Sequence, residues 1–290
     1  MTALTCYLDE SIRENVHVVA GYLAPDELWT DTFVPDLTDL LRSFSLPSSP
    51  LTEFKARDCA ERRGEFKDIP ERDRRALTDS VADILIEMGH TGRLLGVAAV
   101  MVHPGVVDVR GMPRAAGRRA RHTMEKHGYG YSLGWCLYDA LRVGAQVCGD
   151  ESVRPVLDRR EGFFEVANRN WEGVVSVLGG EGSVRFAVPE SGDSRAQLPL
   201  QAADLLAYET RQEAWHRQSD YPLSYVLKRL VAAPYHQARV MTLDLAEPEK
   251  ITELGNTPFL YKTGMHVRSL LLWHGQHFTP AVSSVSATSD

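Results

Sequence analysis

The chain has 290 residues, of which 43% are hydrophobic and 24% charged, and its formal net charge is −7. This composition is ordinary for a globular protein and excludes a polycation, so any nucleic-acid binding must come from a local basic patch. The four cysteines form no C-x-x-C pair, and the longest apolar run, Leu94 to Val102, is far shorter than the ~20 residues that span a bilayer. We therefore expect a cytoplasmic protein with free thiols and no membrane partner.

The first fifty residues predict a β-hairpin followed by a helix. Alternating apolar side chains predict a strand that ends at Asp9, and the apolar run 16–23 after a short polar turn predicts its antiparallel partner. Large apolar residues at helical spacing then predict a helix that begins near Asp26. A loop rich in Ser and Pro follows at 45–50, and the segment 51–58 has no clear assignment.

The rest of the chain alternates strands with helices, which favours an α/β fold. We predict helices over about 70–88, 120–149 and 162–174 and from 198 onward, strands over 94–102, 153–157 and 184–188, and loops over 104–119 and 189–195. Residues 1–279 form a single predicted domain with helical insertions and a C-terminal extension. Residues 280–290 are predicted to be a disordered tail.

Three aspartates share a setting that suggests metal binding. Asp9 and Asp158 each end a predicted strand, and Asp204 lies early in a predicted helix among alanines. If the two strands are neighbours, the carboxylates converge, and a packed helix brings in the third. Clustered carboxylates repel one another, and hard cations such as Mg²⁺ or Mn²⁺ relieve this repulsion through oxygen ligands. Two such ions ~4 Å apart activate water and stabilise the leaving oxygen of a phosphodiester.

Each aspartate taken alone has a simpler explanation. Asp9 is typical of a turn after a strand, and Asp158, followed by charged residues, is typical of a solvated loop. Asp204 is explained equally well by a buried ion pair with an arginine. Only the combination favours a shared site.

At these residues the sequence resembles the domain-of-unknown-function family numbered 3800, whose members look like distant relatives of the ribonuclease H-like (retroviral integrase) superfamily. The resemblance covers roughly residues 4 to 215. It rests on these segments: Tyr7-Leu8-Asp9-Glu10-Ser11, Glu53-Phe54-Lys55, Leu157-Asp158 and, most specifically, Leu198 to Ala207 with Gln201 and Ala203-Asp204.

The resemblance implies an α/β, ribonuclease H-like mixed central sheet flanked by helices, and three metal ligands: Asp9, Asp158 and Asp204. Glu53 would be a fourth carboxylate, in competition with Glu10, and Lys55 would lie near the scissile phosphate. The family usually places a glycine after its Asp-Glu-Ser, where this chain has Ile12. A β-branched residue restricts the backbone, so we expect the loop beside the metal site to differ in shape.

One segment is strongly basic in this acidic chain. It contains no acidic residue and five arginines: Arg110, Arg114, Arg118, Arg119 and Arg121. Such a run is suited to salt-sensitive contacts with nucleic-acid phosphates, and it is explained equally well as a solvated loop.

These patterns together predict a divalent-metal-dependent nuclease that uses Mg²⁺ or Mn²⁺ and acts on RNA or DNA. The alternative is a catalytically inactive nucleic-acid-binding or regulatory module of the same fold, for example in a defence or mobile-element system. A third class, a metal-free hydrolase with paired carboxylates such as a glycosidase, ranks last because no tryptophans cluster near the carboxylates.

Overall fold

A computed structural model describes these residues: 3–13, 16–46, 50–102, 128–130, 132–141, 152–159, 187–216, 224–232 and 236–242, with 165, 167, 168 and 171. The predicted arginine-rich segment, from Arg110 to Arg121, lies outside the described residues. So does the predicted tail at 280–290.

The described strands form one mixed sheet. They are β1 (Leu4–Arg13), β2 (Val16–Pro25), β3 (Leu95–Val102), β4 (Val153–Asp158), β5 (Glu190–Gly192) and β6 (His236–Thr242). Their order across the sheet is β5-β4-β1-β2-β3-β6. β2 runs antiparallel to β1 and β3, whereas the pairs β1–β4, β4–β5 and β3–β6 are parallel.

Helices accompany this sheet, and the predicted α/β fold class is confirmed. The helical segments are α1 (Asp26–Leu28), a π turn (Trp29–Phe33), α2 (Val34–Phe44), α3 (Ala56–Glu61), a 3-10 turn (Gly64–Phe66), α4 (Glu71–His90), α5 (Pro199–His216) and α6 (Tyr225–Ala232). The first three are continuous, and the π turn precedes Pro35, whose missing N–H removes one bond of an α-helical ladder. No helix in the described part of the chain is long and apolar enough to cross a membrane.

The sheet has a hydrophobic core on each face. On one face, side chains from the α2, α4 and α5 helices pack with strand residues such as Val18 and Tyr22. On the other face, the helical residues 132–141 pack with Cys6 and Leu8. The mixed sheet flanked by helices on both faces is compatible with a ribonuclease H-like fold.

Helix α5 lies close to the central strands because its contact face carries small side chains. Ala202, Ala203 and Ala207 are completely buried, and α5 packs chiefly on β1 and β2. Burying alanine requires no side-chain ordering, and a small side chain lets a helix backbone approach a sheet closely. This packing determines how near Asp204 comes to β1.

The first strand is longer than predicted. It continues past Asp9 to Arg13, because Glu10 to Arg13 pair with the apolar first residues of β2. Ile12 is therefore part of a strand and packs against the second core, so the prediction that it shapes a loop is wrong.

The last strands also differ from the prediction. Of the predicted strand 184–188, residues 184–186 lie outside the described residues, and Ala187 and Val188 are not in a strand. β5 falls within the predicted loop 189–195. β5 is short, polar and at the sheet edge, so it carries no apolar alternation that a sequence pattern could reveal. β6 and α6 were not predicted.

Candidate active site

Asp9 and Asp158 lie side by side on the two central parallel strands. The β1–β4 ladder ends at the pair Leu8 and Leu157, and the two aspartates are the next residue on each strand. Neighbouring strands are about 4.8 Å apart, so strand pairing places these carboxylates next to each other. Asp9 is buried, with 6% of its surface exposed. It shares a sheet face with Tyr7, which packs against the core that contains α5.

Asp204 reaches Asp9 from the first turns of α5. Its Oδ2 accepts a hydrogen bond of 2.6 Å from the backbone N–H of Ala56. Asp9 and Asp204 are close enough to influence each other's pKa.

The pKa values of both members of this pair are raised. Burial is the largest cause for Asp9, whose pKa is raised further by the charges of Glu10, Asp204 and Asp158. Burial also raises the pKa of Asp204, although the Lys55 charge and the Ala56 N–H oppose it. The folded protein therefore disfavours the charged forms of both aspartates.

Lys55 is the cation at the centre of this cluster. Its Nζ lies 3.3 Å from Glu53 Oε1 and 3.4 Å from Asp158 Oδ2. Burial opposes the charged form of Lys55, but Asp204, Asp158, Asp9 and Glu53 outweigh it and raise its pKa above the usual range. Lys55 therefore remains an ammonium group throughout the physiological pH range.

Glu53 joins the cluster through Lys55. Its carboxylate also accepts hydrogen bonds from Ser194 Oγ and from Arg195 Nε, the latter at 3.0 Å. Burial raises the pKa of Glu53, but these two donors and Lys55 outweigh burial and hold the pKa below its ordinary value. With every carboxylate ionised, the four acids exceed the two cations, Lys55 and Arg195, by two charges.

Gln201 fixes the segment that carries Glu53 and Lys55. Its Oε1 accepts a hydrogen bond of 2.8 Å from the backbone N–H of Phe54, and its Nε2 donates one of 2.8 Å to the carbonyl of Ser194. Gln201 has no exposed surface. One α5 side chain thus holds two separate loops against Asp204. The resemblance singled out Gln201 without assigning it a role.

The structure brings five of the predicted site residues together: Asp9, Glu53, Lys55, Asp158 and Asp204. Glu10 lies on the opposite sheet face by strand alternation, and its backbone N–H donates to Asp9 Oδ1 at 2.7 Å. Contact with Lys55 makes Glu53 the better candidate for the fourth carboxylate. Sequence reasoning missed Ser194 and Arg195, because no local pattern in a polar loop indicates a partner 141 residues away.

The chemistry of this cluster suits a divalent ion, although its present geometry does not form a metal site. No group of three or more His, Cys, Asp or Glu side chains among the described residues is placed to hold a metal ion. Lys55 currently bridges Asp158 and Glu53. Carboxylate oxygens are the ligands that Mg²⁺ and Mn²⁺ prefer, and the uncompensated charge equals that of one such ion. An ion bound at Asp158 would compete with the Lys55 ammonium for that carboxylate.

Comparison with known proteins assigns no family: no protein-family model matches the chain, and no curated protein matches it in sequence. The resemblance described above therefore stays a prediction from its motifs.

Proposed function

We propose that the protein is a divalent-metal-dependent nuclease that hydrolyses phosphodiester bonds. One observation carries the proposal. Three aspartates from widely separated segments, Asp9, Asp158 and Asp204, meet beside Lys55 at one end of the central parallel strands. Asp9 is buried, and Asp158 and Asp204 are partly buried. Clustered carboxylates repel one another, and a hard cation relieves this repulsion through its oxygen ligands.

In this proposal each residue of the cluster has a separate role. Asp9, Asp158 and Asp204 hold Mg²⁺ or Mn²⁺, with Glu53 as the fourth carboxylate. When bound, the metal activates water and stabilises the charge that develops on the phosphate and leaving oxygens. Lys55, released from Asp158, donates to a non-bridging phosphate oxygen and neutralises part of its charge. Gln201 keeps Lys55 in place through the backbone of Phe54.

The substrate we propose is RNA or DNA, and the compartment is the cytoplasm. The three described cysteines, Cys6, Cys59 and Cys136, are buried free thiols. Free thiols are typical of proteins in a reducing compartment.

The test is cleavage of labelled single- and double-stranded RNA and DNA with Mg²⁺, with Mn²⁺ and with EDTA. We expect cleavage only with a metal ion, and a loss of at least about 100-fold in Asp9→Asn and Asp204→Asn, the order seen when one group that stabilises a transition state is removed. Asp26→Asn is the matched control, because Asp26 contacts Thr5 on β1 away from the cluster. Cleavage that persists in both site variants contradicts the proposal.

A second candidate function is a binding or regulatory module of the same fold without catalysis. The Lys55 bridge favours it, because an ammonium between Asp158 and Glu53 already supplies part of the charge that a metal would bring. A calorimetric titration with Mn²⁺ separates the two functions. The module binds nucleic acid and no Mn²⁺, whereas the nuclease binds Mn²⁺ in wild type and loses this binding in Asp204→Asn.

A further inference from the structure

Helix α5 carries a buried arginine, Arg211, for which the described residues show no close ion pair. Arg211 has 4% of its surface exposed, and its Nε has no hydrogen-bond partner among the described residues. Its guanidinium lies 4.9 Å from the centre of the Tyr208 ring, a cation–π contact. Burial and the positive charges of Arg13 and Arg57 lower the pKa of Arg211, and the charge of Glu61 opposes them only in part. An incompletely compensated buried cation attracts an anion to the surface above it.

A chain of contacts links Arg211 to an exposed arginine at the end of β1. The Tyr208 hydroxyl accepts a hydrogen bond of 2.9 Å from Gln212 Nε2. Gln212 Oε1 in turn accepts one of 3.4 Å from Arg13 Nη1. The Arg13 guanidinium also lies 4.7 Å from the centre of the Trp215 ring. Arginine and aromatic side chains therefore alternate along this face of α5.

Arg57, on α3, extends the same patch on the side nearer the carboxylates. Its side chain is 55% exposed, and its Nε lies 3.3 Å from Glu61 Oε1. Glu61 also pairs with Arg63 Nη2 at 2.8 Å. Glu61 is thus shared between two arginines. With Arg13 and Arg211, the patch holds four arginines, against two nearby acids, Glu61 and the buried Glu209.

The patch continues the face on which the carboxylates lie. Arg211 is seven residues after Asp204, which is two helical turns on the same side of α5 and about 10 Å along its axis. Arg13 is four residues after Asp9 on the same strand face, about 13 Å away. Arg57 directly follows Ala56, whose N–H binds Asp204. Since duplex phosphates of one strand advance about 3.4 Å per nucleotide, these distances correspond to about three or four nucleotides.

We propose that Arg13 and Arg57, above the buried Arg211, form a phosphate-binding track that holds a nucleic-acid strand about three nucleotides from the carboxylate cluster. This inference rests on the proposed nuclease function for the identity of the anion. The track supplies electrostatic attraction without base contacts, so it binds independently of sequence and weakens with salt.

The test is fluorescence anisotropy of a labelled 20-nucleotide single strand of mixed sequence, titrated at several salt concentrations in EDTA so that no cleavage occurs. Each phosphate contact contributes about 0.7 to the slope of log affinity against log salt for a single strand. We expect Arg13→Gln and Arg57→Gln each to reduce the slope by about 0.7, and the double variant by about 1.4. Both residues are exposed, so the variants are expected to fold.

Arg75→Gln is the matched control, because Arg75 is an exposed helical arginine paired with Glu71 four residues away, as Arg57 is with Glu61. It should keep the wild-type slope. The proposed track is contradicted if the double variant keeps the wild-type slope, or if the wild-type protein binds no strand. A protein that fails to cleave but shows the expected slopes keeps the track and overturns only the nuclease function.

Discussion

Lys55 is the residue on which the chemistry of the cluster depends. Its ammonium lies within 3.4 Å of Glu53 and Asp158 and compensates one of the negative charges that the fold concentrates here. A divalent cation would compensate the remaining two. Under the proposed function, a metal ion would compete with the Lys55 ammonium for these carboxylates, so metal binding can be tested without a substrate.

Lys55→Met should therefore destabilise the metal-free protein. The variant leaves Glu53 and Asp158 without their shared cation, and Lys55 is partly exposed, so the loss falls between that of a surface pair and that of a buried pair, about 1–3 kcal/mol. Chemical denaturation measures it. Lys67→Met is the control, because Lys67 is mostly exposed and lies 3.9 Å from Asp68. Equal stability of the two variants would show that Lys55 does not neutralise the cluster.

A metal ion should stabilise the folded protein through the same carboxylates. A ligand that binds only the folded state adds about 2.7 kcal/mol at one hundred times its Kd. We expect Mn²⁺ to raise the Tm of wild type and to leave the Tm of Asp9→Asn or Asp204→Asn unchanged. A shift of equal size in wild type and in both variants would place the bound ion elsewhere.

At the scale of elements, α5 positions the site through one short stretch of sequence. Asp204 faces β1, and Gln201, one turn earlier, holds the backbones of Phe54 and Ser194. The alanines between and after them permit the close approach to the sheet. The most specific motif of the sequence is therefore the one that assembles segments from three parts of the chain.

Gln201→Met should weaken both the fold and the activity. Methionine fills the volume but leaves the buried N–H of Phe54 and the carbonyl of Ser194 without partners, at about 1–3 kcal/mol each. Denaturation and cleavage assays measure the two effects. Leu206→Met, a volume-conserving change in the same helix, should cost less than about 1.5 kcal/mol. If both variants lose equally little stability, Gln201 does not hold the two loops.

Gly21 permits the close pairing of β1 and β2. A Cβ at this position would lie 1.8 Å from the carbonyl oxygen of Tyr7, which cannot move without breaking the ladder. Gly21→Ala should lower the free energy of unfolding by about 3 kcal/mol, the upper end of what overpacking usually costs, because the backbone cannot move aside. Gly64→Ala is the comparison, because a Cβ there would make only an ordinary contact of 3.8 Å with Asp58 Oδ2. Only the positive φ of Gly64 opposes a side chain, at about 1–2 kcal/mol. A smaller loss for Gly21→Ala than for Gly64→Ala would contradict this packing.

The elements with strong apolar periodicity were predictable from the sequence. The hairpin, the long helix before Ser45, α4, β3 and β4 were each predicted within a few residues of their observed bounds. The short, polar edge strand β5 was not, because tertiary pairing with β4 and not its own composition makes it a strand. The end of β1 was misplaced for a related reason, since pairing with β2 outweighs the turn preference of polar residues.

At the scale of the whole molecule, buried charges on α5 link folding to pH. Burial raises the pKa of Glu209, although the Ser224 hydroxyl and Arg211 oppose this. The folded protein therefore keeps a proton that the unfolded chain releases at the same pH. Between the ordinary pKa and the raised one, the free energy of unfolding falls as pH rises.

Glu209→Gln should remove this dependence. The Tm of the variant minus the Tm of wild type is expected to become more positive as pH rises from 4 to 8. The difference should grow by about 2–4 °C for each kcal/mol that wild type loses in its free energy of unfolding. Thermal melts across this range measure it. Glu87→Gln, at an exposed position on α4, should give a constant difference. A Glu209→Gln difference that stays flat or falls with pH would contradict a raised pKa.

The parts of the site that lie on regular strands and helices could be predicted from the sequence, and the contacts between loops could not. Adjacent strands made the meeting of Asp9 and Asp158 predictable, and the alanines made the approach of Asp204 predictable. The bridge from Lys55 to Asp158 and the donors Ser194 and Arg195 could not be predicted, because they depend on how loops pack in three dimensions. The burial of Arg211 could not be predicted for the same reason, because the pattern of charges along a helix does not show which of them are buried.

We propose above all that Asp9, Asp158 and Asp204 bind a divalent cation that displaces Lys55. The most direct test is a crystal structure of the protein soaked in MnCl₂, with anomalous data collected to locate manganese. We expect an anomalous peak coordinated by carboxylate oxygens of all three aspartates, with Lys55 Nζ withdrawn from its present 3.4 Å contact with Asp158 Oδ2. No peak among the aspartates, with Lys55 still bridging Glu53 and Asp158, would contradict it.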